Sequence, residues 1–138
     1  MVAYNKFEGF VGYLGLAAVN CNTDVFKAYL SNAAPSASLD DVKADLAEIA
    51  GGNGYTAGGH DTQNLYSEAS GTGTCSATDI TITAAGGTVG PFQYVVLYDD
   101  THASDILIAW WNYGSALTLN DTETFTIDFG GNNLFTIV

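Results

Sequence analysis

Short runs of alternating apolar and polar side chains are the feature that most limits how this chain can fold. Residues 79–84 (DITITA) and 122–129 (TETFTIDF) alternate, and residues 92–98 (FQYVVLY) form a short, mostly apolar run. Alternation is typical of a β-strand, in which successive side chains point to opposite faces. Glycine pairs such as Gly86-Gly87 separate these runs. Short strands punctuated by turns predict an antiparallel β-sandwich or barrel.

We predict a mainly β protein: a single antiparallel β-sandwich, of jelly-roll or immunoglobulin-like type, with one short helix and an extended N-terminal arm. Residues 92–98 should pair with 106–111 as a hairpin, and 122–129 should pair with 134–138. The inward-facing positions of these strands and of the strand at 24–30 give a predicted core of Phe26, Leu30, Val95, Leu97, Ile106, Ile108, Phe125 and Ile127.

The helix is predicted just after a turn-rich stretch, with Ser38 as its N-cap and Gly51-Gly52 beyond its end. Its apolar stripe has spacings of three and four and consists of Leu39, Val42, Leu46 and Ile49. The glycine-rich loop 51–60 and the acidic turn 99–105 are the segments expected to adapt most freely to a partner.

The N-terminal segment 1–22 is predicted to be an arm attached to a β-sandwich domain at 23–138. Its aromatic residues recur every three or four positions, but its glycines each cost a helix about 1 kcal/mol. The arm could add a strand to its own sheet, or it could lie across a neighbouring subunit, which is the arrangement we expect. Aromatic side chains are favoured in interface cores, so the predicted interface residues are Tyr4, Phe7, Phe10, Tyr13 and Trp111.

The charge of the chain excludes some partners. Fifteen acidic residues stand against three lysines and no arginine, which gives a formal net charge of -12. Without a basic patch the chain has nothing to neutralise phosphates, so we expect neither nucleic acid nor an anionic membrane as a partner. Glu8 lies where a signal peptide would carry positive charge, so we expect a protein made inside the cell.

The sequence contains little that indicates catalysis. His60-Asp61 and His102 are accompanied by no G-x-S-x-G motif and no zinc-ligand spacing. The stretch GGNGYTAGG follows the predicted helix, whereas a phosphate-binding loop precedes one. We therefore expect no enzymatic activity, no catalytic residues and no cofactor.

Two further features allow a functional and a structural interpretation. Asp99, Asp100 and Asp105 could offer oxygen ligands to calcium, but a solvated acidic turn is the expectation, so we predict no metal site. Cys21 and Cys75 could form a disulfide worth on the order of 4 kcal/mol, although two buried free thiols are favoured.

Four stretches of the chain resemble a family of small structural proteins from tailed bacteriophages. They are FKAYLSNAAP, ADLAEIAGGNGYTAGG, GGTVGPFQYVVLYDDT and ILIAWWNYGSALTLNDTETFTIDF. Residues 1–22 and the polar insert near 64–78 depart from the family's pattern. The resemblance implies a virion component without catalytic residues.

From this resemblance and the composition we expect a capsid decoration (cement) protein. It would stabilise the phage head by binding the major capsid protein between capsomers, on the outer surface of the virion, after assembly in the host cytoplasm. A homotrimer is expected because linked contacts add avidity. The alternatives are a tail adaptor, tip or fibre component, or a virion surface module that binds glycans.

Overall fold

Strands hold 45% of the residues and helix 8% in the computed structural model, which describes residues 2–138. The predicted mainly β class and the packing of antiparallel sheets on one another are confirmed. The elements, in chain order, are β1 (Tyr4–Lys6), α1 (Glu8–Gly15), β2 (Phe26–Ser31), the 3-10 turn η1 (Lys43–Asp45), β3 (His60–Asp61), β4 (Leu65–Ala69), β5 (Thr72–Ser76), β6 (Ile80–Thr83), β7 (Val89–Asp99), β8 (Ile106–Leu119), β9 (Thr124–Ile127) and β10 (Asn133–Ile137).

The strands form two facing layers. One layer is a five-stranded antiparallel sheet in the order β1-β8-β7-β2-β3. The other consists of a three-stranded sheet, β10-β5-β4, and a two-stranded sheet, β6-β9. Side chains from all three sheets meet in one hydrophobic core.

The predicted core residues lie almost entirely inside. Seven of the eight are buried, and Phe125 is half-buried against the same core. Phe125 packs edge-on against Phe92, with ring centroids 4.9 Å apart. The alternation in the sequence therefore identified the inward faces correctly.

The five-stranded sheet is also buried on its second face, which the sequence did not lead us to expect. Tyr29, Val96, Tyr98 and Leu107 form a second hydrophobic cluster there, covered by Phe7 and Leu46. The strands β2, β7 and β8 are therefore buried on both sides over much of their length.

The predicted pairing of 122–129 with 134–138 is wrong. β9 pairs with β6, with Ile127 opposite Ile80, and β10 pairs with β5. β9 and β10 are neighbours in sequence, yet they belong to different sheets of the second layer. The predicted hairpin of 92–98 with 106–111 is confirmed as β7 and β8.

The predicted helix at 39–50 is also wrong: the segment forms only the short 3-10 turn η1, and much of its backbone bonds to the edges of strands. Val42 forms a β-bridge with Ile106, and the N–H of Lys43 donates to the carbonyl of Asp105 at 2.8 Å. The N–H of Ile49 donates to the carbonyl of Leu30 at 3.0 Å. Leu46 is buried, but Leu39 is 79% exposed, so the apolar spacing does not mark a helical face.

The α-helix lies in the N-terminal segment instead, and this segment packs on the chain's own sheet. β1 pairs antiparallel with β8, and the N–H of Phe7 continues the ladder by donating to the carbonyl of Ile108 at 3.1 Å. Phe10, in α1, and Val19, after it, enter the main core. Of the two arrangements considered for residues 1–22, the structure has the strand added to its own sheet; Met1 lies outside the described residues.

Among the helices of residues 2–138, none is long and apolar enough to cross a membrane.

The burial of Phe7 predicts that the N-terminal segment contributes to the stability of the β-sandwich. Phe7→Ala should lower the free energy of unfolding by about 3–5 kcal/mol, because it removes a fully buried ring that covers the second face of the sheet. Urea unfolding followed by tryptophan fluorescence measures this change.

Val11→Ala is the control for this experiment. Val11 lies in α1, close to Phe7 in sequence, but its side chain is 53% exposed, so its truncation should cost less than about 1 kcal/mol. Equal losses for the two variants would contradict the packing described above.

Candidate functional site

The predicted interface residues lie on both faces of the five-stranded sheet: Phe10, Tyr13 and Trp111 pack on the main core, whereas Phe7 packs on the second face. Tyr4, on β1, lies opposite Trp111, on β8, and their rings meet edge-on with centroids 5.8 Å apart. Trp111 also contacts Phe129 edge-on at 5.7 Å and is only 8% exposed. The tryptophan predicted to contact a partner is therefore covered by residues of its own chain.

Phe7 and Phe10 require a correction. Phe7 packs on Trp110 with ring centroids 4.6 Å apart, and Phe10 packs on Phe135 at 5.3 Å. Their side chains are 0% and 4% exposed, so in this arrangement they have no surface with which to anchor a neighbouring subunit. Their aromatic character is used to attach the N-terminal segment to the sheet.

Tyr13 and Tyr4 retain some accessible surface. Tyr13 is half-buried, with its ring centroid 6.4 Å from that of His102. Tyr4 is 38% exposed, and burial of its hydroxyl end raises its pKa. These two are the predicted residues that a partner could still reach.

An apolar groove lies beside Tyr4, between α1 and β10. It consists of two adjoining depressions of about 290 and 320 Å³ that share Leu14 and Ile137. We use the name apolar groove for the surface formed by Tyr4, Val11, Leu14, Tyr66, Ile137 and Val138. Exposed apolar surface that is contiguous in this way is typical of sites where another molecule binds.

Sequence reasoning missed most of the groove. Val11 is 53% exposed, Ile137 is 39% exposed and Val138 is 98% exposed. Val11 is far in sequence from Ile137 and Val138, and they meet because α1 and the C-terminal end of the chain line the same groove. A signal did exist: α1 buries Phe10, with Leu14 one turn further on the same face, which leaves Val11 on another part of the helix surface.

The charge near the groove differs from that of the molecule as a whole. Lys6 lines the groove beside Tyr4 and Val11. The other two lysines bind carboxylates: Lys27 pairs with Asp100 at 2.7 Å, and Lys43 pairs with Glu48 at 2.8 Å. The chain has a net charge of -12, so this apolar surface with Lys6 beside it is less acidic than the molecule as a whole.

The glycine-rich loop 51–60 is held more firmly than expected. The hydroxyl of Tyr55 donates to Glu48 Oε1 at 2.6 Å and accepts the N–H of Leu30 at 3.0 Å. Glu48 Oε1 also accepts the N–H of Gly58 at 2.7 Å. These bonds fix the loop to β2, so it is a poor candidate for a segment that adapts to a partner.

The acidic turn 99–105 does not bring its carboxylates together. Asp99 is fully buried, Asp100 pairs with Lys27, and Asp105 offers its backbone carbonyl to Lys43. In the described part of the chain, no three side chains of the His, Cys, Asp and Glu types are placed to hold a metal ion. The arrangement thus gives the calcium hypothesis no support.

Asp99 points inward and forms a carboxyl pair with Asp24. Its Oδ1 accepts the N–H of Thr101 at 2.9 Å, while its buried Oδ2 has no hydrogen-bond partner in residues 2–138. Burial is the main cause that raises the pKa of Asp99 to about 6, and the neighbouring Asp24 carboxylate adds to it. A protonated Asp99 can donate to Asp24, which links the turn after β7 to the loop before β2.

Neither histidine is hydrogen-bonded to a nucleophilic side chain in the described part of the chain, and His102 Nδ1 accepts the backbone N–H of Ser104 at 3.2 Å. The ring of His60 packs beside Tyr55 at 5.9 Å, and its Nε2 is buried without a hydrogen-bond partner in the described chain. Burial lowers the pKa of His60. No serine hydroxyl or carboxylate of residues 2–138 is therefore bonded to that nitrogen.

No protein-family model, curated protein or solved structure matches this chain. The fold and the groove define a small protein of the β-sandwich class with an exposed apolar groove.

The buried carboxyl pair predicts a dependence of stability on pH. Because the pKa of Asp99 is higher in the folded chain than its ordinary value of 3.8, the fold holds the proton more tightly than the unfolded chain does. The proton on Asp99 therefore stabilises the fold. This contribution to the free energy of unfolding is complete below pH 4 and is lost as the pH rises through 6. It amounts to at most about 3 kcal/mol. In Asp99→Asn this contribution should be absent, so the free energy of unfolding should fall less between pH 4 and 7 than in the wild-type chain. Urea unfolding at several pH values in this range measures the difference.

Asp100→Asn is the matched control on the adjacent residue. The hydrogen bond from Lys27 lowers the pKa of Asp100, so its contribution has the opposite sign and is lost as the pH falls. If the wild-type chain and Asp99→Asn showed the same slope between pH 4 and 7, the carboxyl pair would not be the cause.

Proposed function

We propose that this protein is a structural component of a tailed-bacteriophage virion, namely a capsid decoration (cement) protein that binds the major capsid protein between capsomers. The observation that carries the proposal is the apolar groove at the N-terminal segment, because such a surface on a small β-sandwich suits binding to another protein. The resemblance of four sequence blocks to phage structural proteins supports the choice of partner.

The charge of the chain favours a position on the outside of the head. Fifteen acidic residues against three lysines produce repulsion from DNA, which an inner surface would have to contact. On the outer surface the same charge keeps particles apart. The protein would be made in the host cytoplasm and would join the particle there.

We propose that the contact uses the apolar groove and that the protein binds as a homotrimer. A trimer placed where three capsomers meet needs only a modest contact from each copy, because linked contacts add avidity. A protein that binds the assembled shell but not its separated subunits makes disassembly of the shell less favourable.

A tail adaptor, tip or fibre component remains the alternative within the virion class. The glycan-binding alternative loses its main support, because Trp111 is 8% exposed and Phe7 covers Trp110. A sugar would have to stack on other aromatic side chains.

The proposal predicts that the protein raises the melting temperature of capsids that lack it. The capsids would be assembled from the major capsid protein of the same genome, and melting would be followed with and without added protein. Binding should hold or strengthen as ionic strength rises to physiological values, because salt screens repulsion between acidic trimers. An unchanged melting temperature at full occupancy, or a location on the tail in averaged particle images, would overturn the cement role.

A paired substitution tests the surface itself. Val11→Asp with Ile137→Asp places two carboxylates in the apolar groove and should weaken capsid binding at least tenfold without unfolding the protein, because both side chains are exposed. Leu39→Asp is the matched control, since Leu39 is 79% exposed and does not line the groove. Equal binding by both variants would exclude the groove as the contact, and the mass of the free protein in solution would test the trimer.

A further inference from the structure

The two cysteines are brought together by the fold although 54 positions separate them in the sequence. Cys21 lies in the loop between α1 and β2, and Cys75 lies on β5, opposite Tyr66. Both thiols are free and buried, with 7% and 0% of the residue exposed. Both lie in the same hydrophobic core cluster, and each thiol is the largest influence on the pKa of the other, as expected of neighbouring groups.

Backbone contacts hold the two cysteines in this position. Asn64, just before β4, donates through Nδ2 to the carbonyl of Cys21 at 3.2 Å and to that of Asp24 at 2.9 Å. Asn64 Oδ1 accepts the N–H of Phe26 at 2.9 Å. β4 in turn pairs with β5, which carries Cys75. The loop that carries Cys21 is therefore tied to the hairpin that carries its partner.

The two thiols have different environments. The hydrogen bond from Cys75 lowers the pKa of Cys21, whereas its bond to Cys21 and its burial raise the pKa of Cys75. Cys21 also borders the apolar groove, next to Leu14 and Tyr66, whereas Cys75 is fully enclosed. Since the thiolate is the nucleophile in thiol chemistry, Cys21 is suited to react first.

We propose that Cys21 and Cys75 are a redox pair that closes to an intramolecular disulfide when it meets a low-molecular-weight disulfide such as oxidised glutathione. The Cys21 thiolate attacks one sulfur of the reagent, whose S–S bond breaks and releases one thiolate. Cys75 then loses its proton and attacks Cys21 Sγ, which releases the second thiol. The two cysteines are oxidised by two electrons, and one reagent disulfide is reduced to two thiols.

The disulfide would join the two layers of the sandwich near the apolar groove. It would fix the loop after α1 to the central strand of the three-stranded sheet. A chain made in a reducing cytoplasm would fold with free thiols and gain the cross-link on reaching an oxidising medium. This inference does not depend on the proposed role in the virion.

The test uses the purified full-length chain, incubated with dithiothreitol or with oxidised glutathione. Intact mass under denaturing conditions should show the loss of two hydrogen atoms, and non-reducing peptide mapping should join Cys21 to Cys75. Because the cross-link restricts the unfolded chain, the oxidised form should melt about 10 °C above the reduced form.

Single variants separate the thiol that reacts with the reagent from the thiol that then closes the disulfide. Cys75→Ala should accumulate a glutathione adduct on Cys21, whereas Cys21→Ala should leave Cys75 unmodified in the folded chain. The wild-type measurements decide the question even if a variant fails to fold. Two free thiols after prolonged oxidation, a disulfide between chains, or an unchanged melting temperature would overturn the proposal.

Discussion

The burial of the central strands on both faces is the constraint on which the rest of the structure depends. From Tyr94 to Asp99, β7 is paired along both edges, with β2 on one side and β8 on the other. Its side chains alternate between two hydrophobic clusters, with Val95 in one and Val96 in the other. Antiparallel sheets commonly expose one face to water, so this sheet needs a second covering layer that a simple sandwich does not provide.

The segments without long strands supply that layer. Phe7 and Leu46 cover Tyr29 and Tyr98, and Lys43 lies over both tyrosine rings, 4.9 and 5.6 Å from their centroids. Glu48, which binds Lys43 and Tyr55, supplies the charge that a partly buried lysine needs. Residues 39–50 do not form an α-helix because several of their backbone groups bond to the edges of strands.

The surface that remains after this packing decides where a partner can bind. Once Phe7, Phe10 and Trp111 are inside, the groove between α1 and β10 is a contiguous apolar surface that stays accessible in the N-terminal region. The two adjacent aspartates at the end of β7 have different surroundings: Asp99 is buried beside Asp24, while Asp100 binds Lys27. The proposed contact with a partner is therefore apolar, and the acidic charge acts through long-range repulsion between copies of the protein.

The sequence alone was sufficient for the class of fold, for the β7–β8 hairpin and for most of the core, because a period of two reports directly which side chains share a face. It could not distinguish a helix from an extended segment at Leu39–Ile49, since a spacing of three and four also arises when isolated apolar residues cover a sheet. It could not show that β9 pairs with β6, or that Val11 and Ile137 line one groove. Those contacts join residues far apart in the chain, and only the tertiary packing decides which distant surfaces meet.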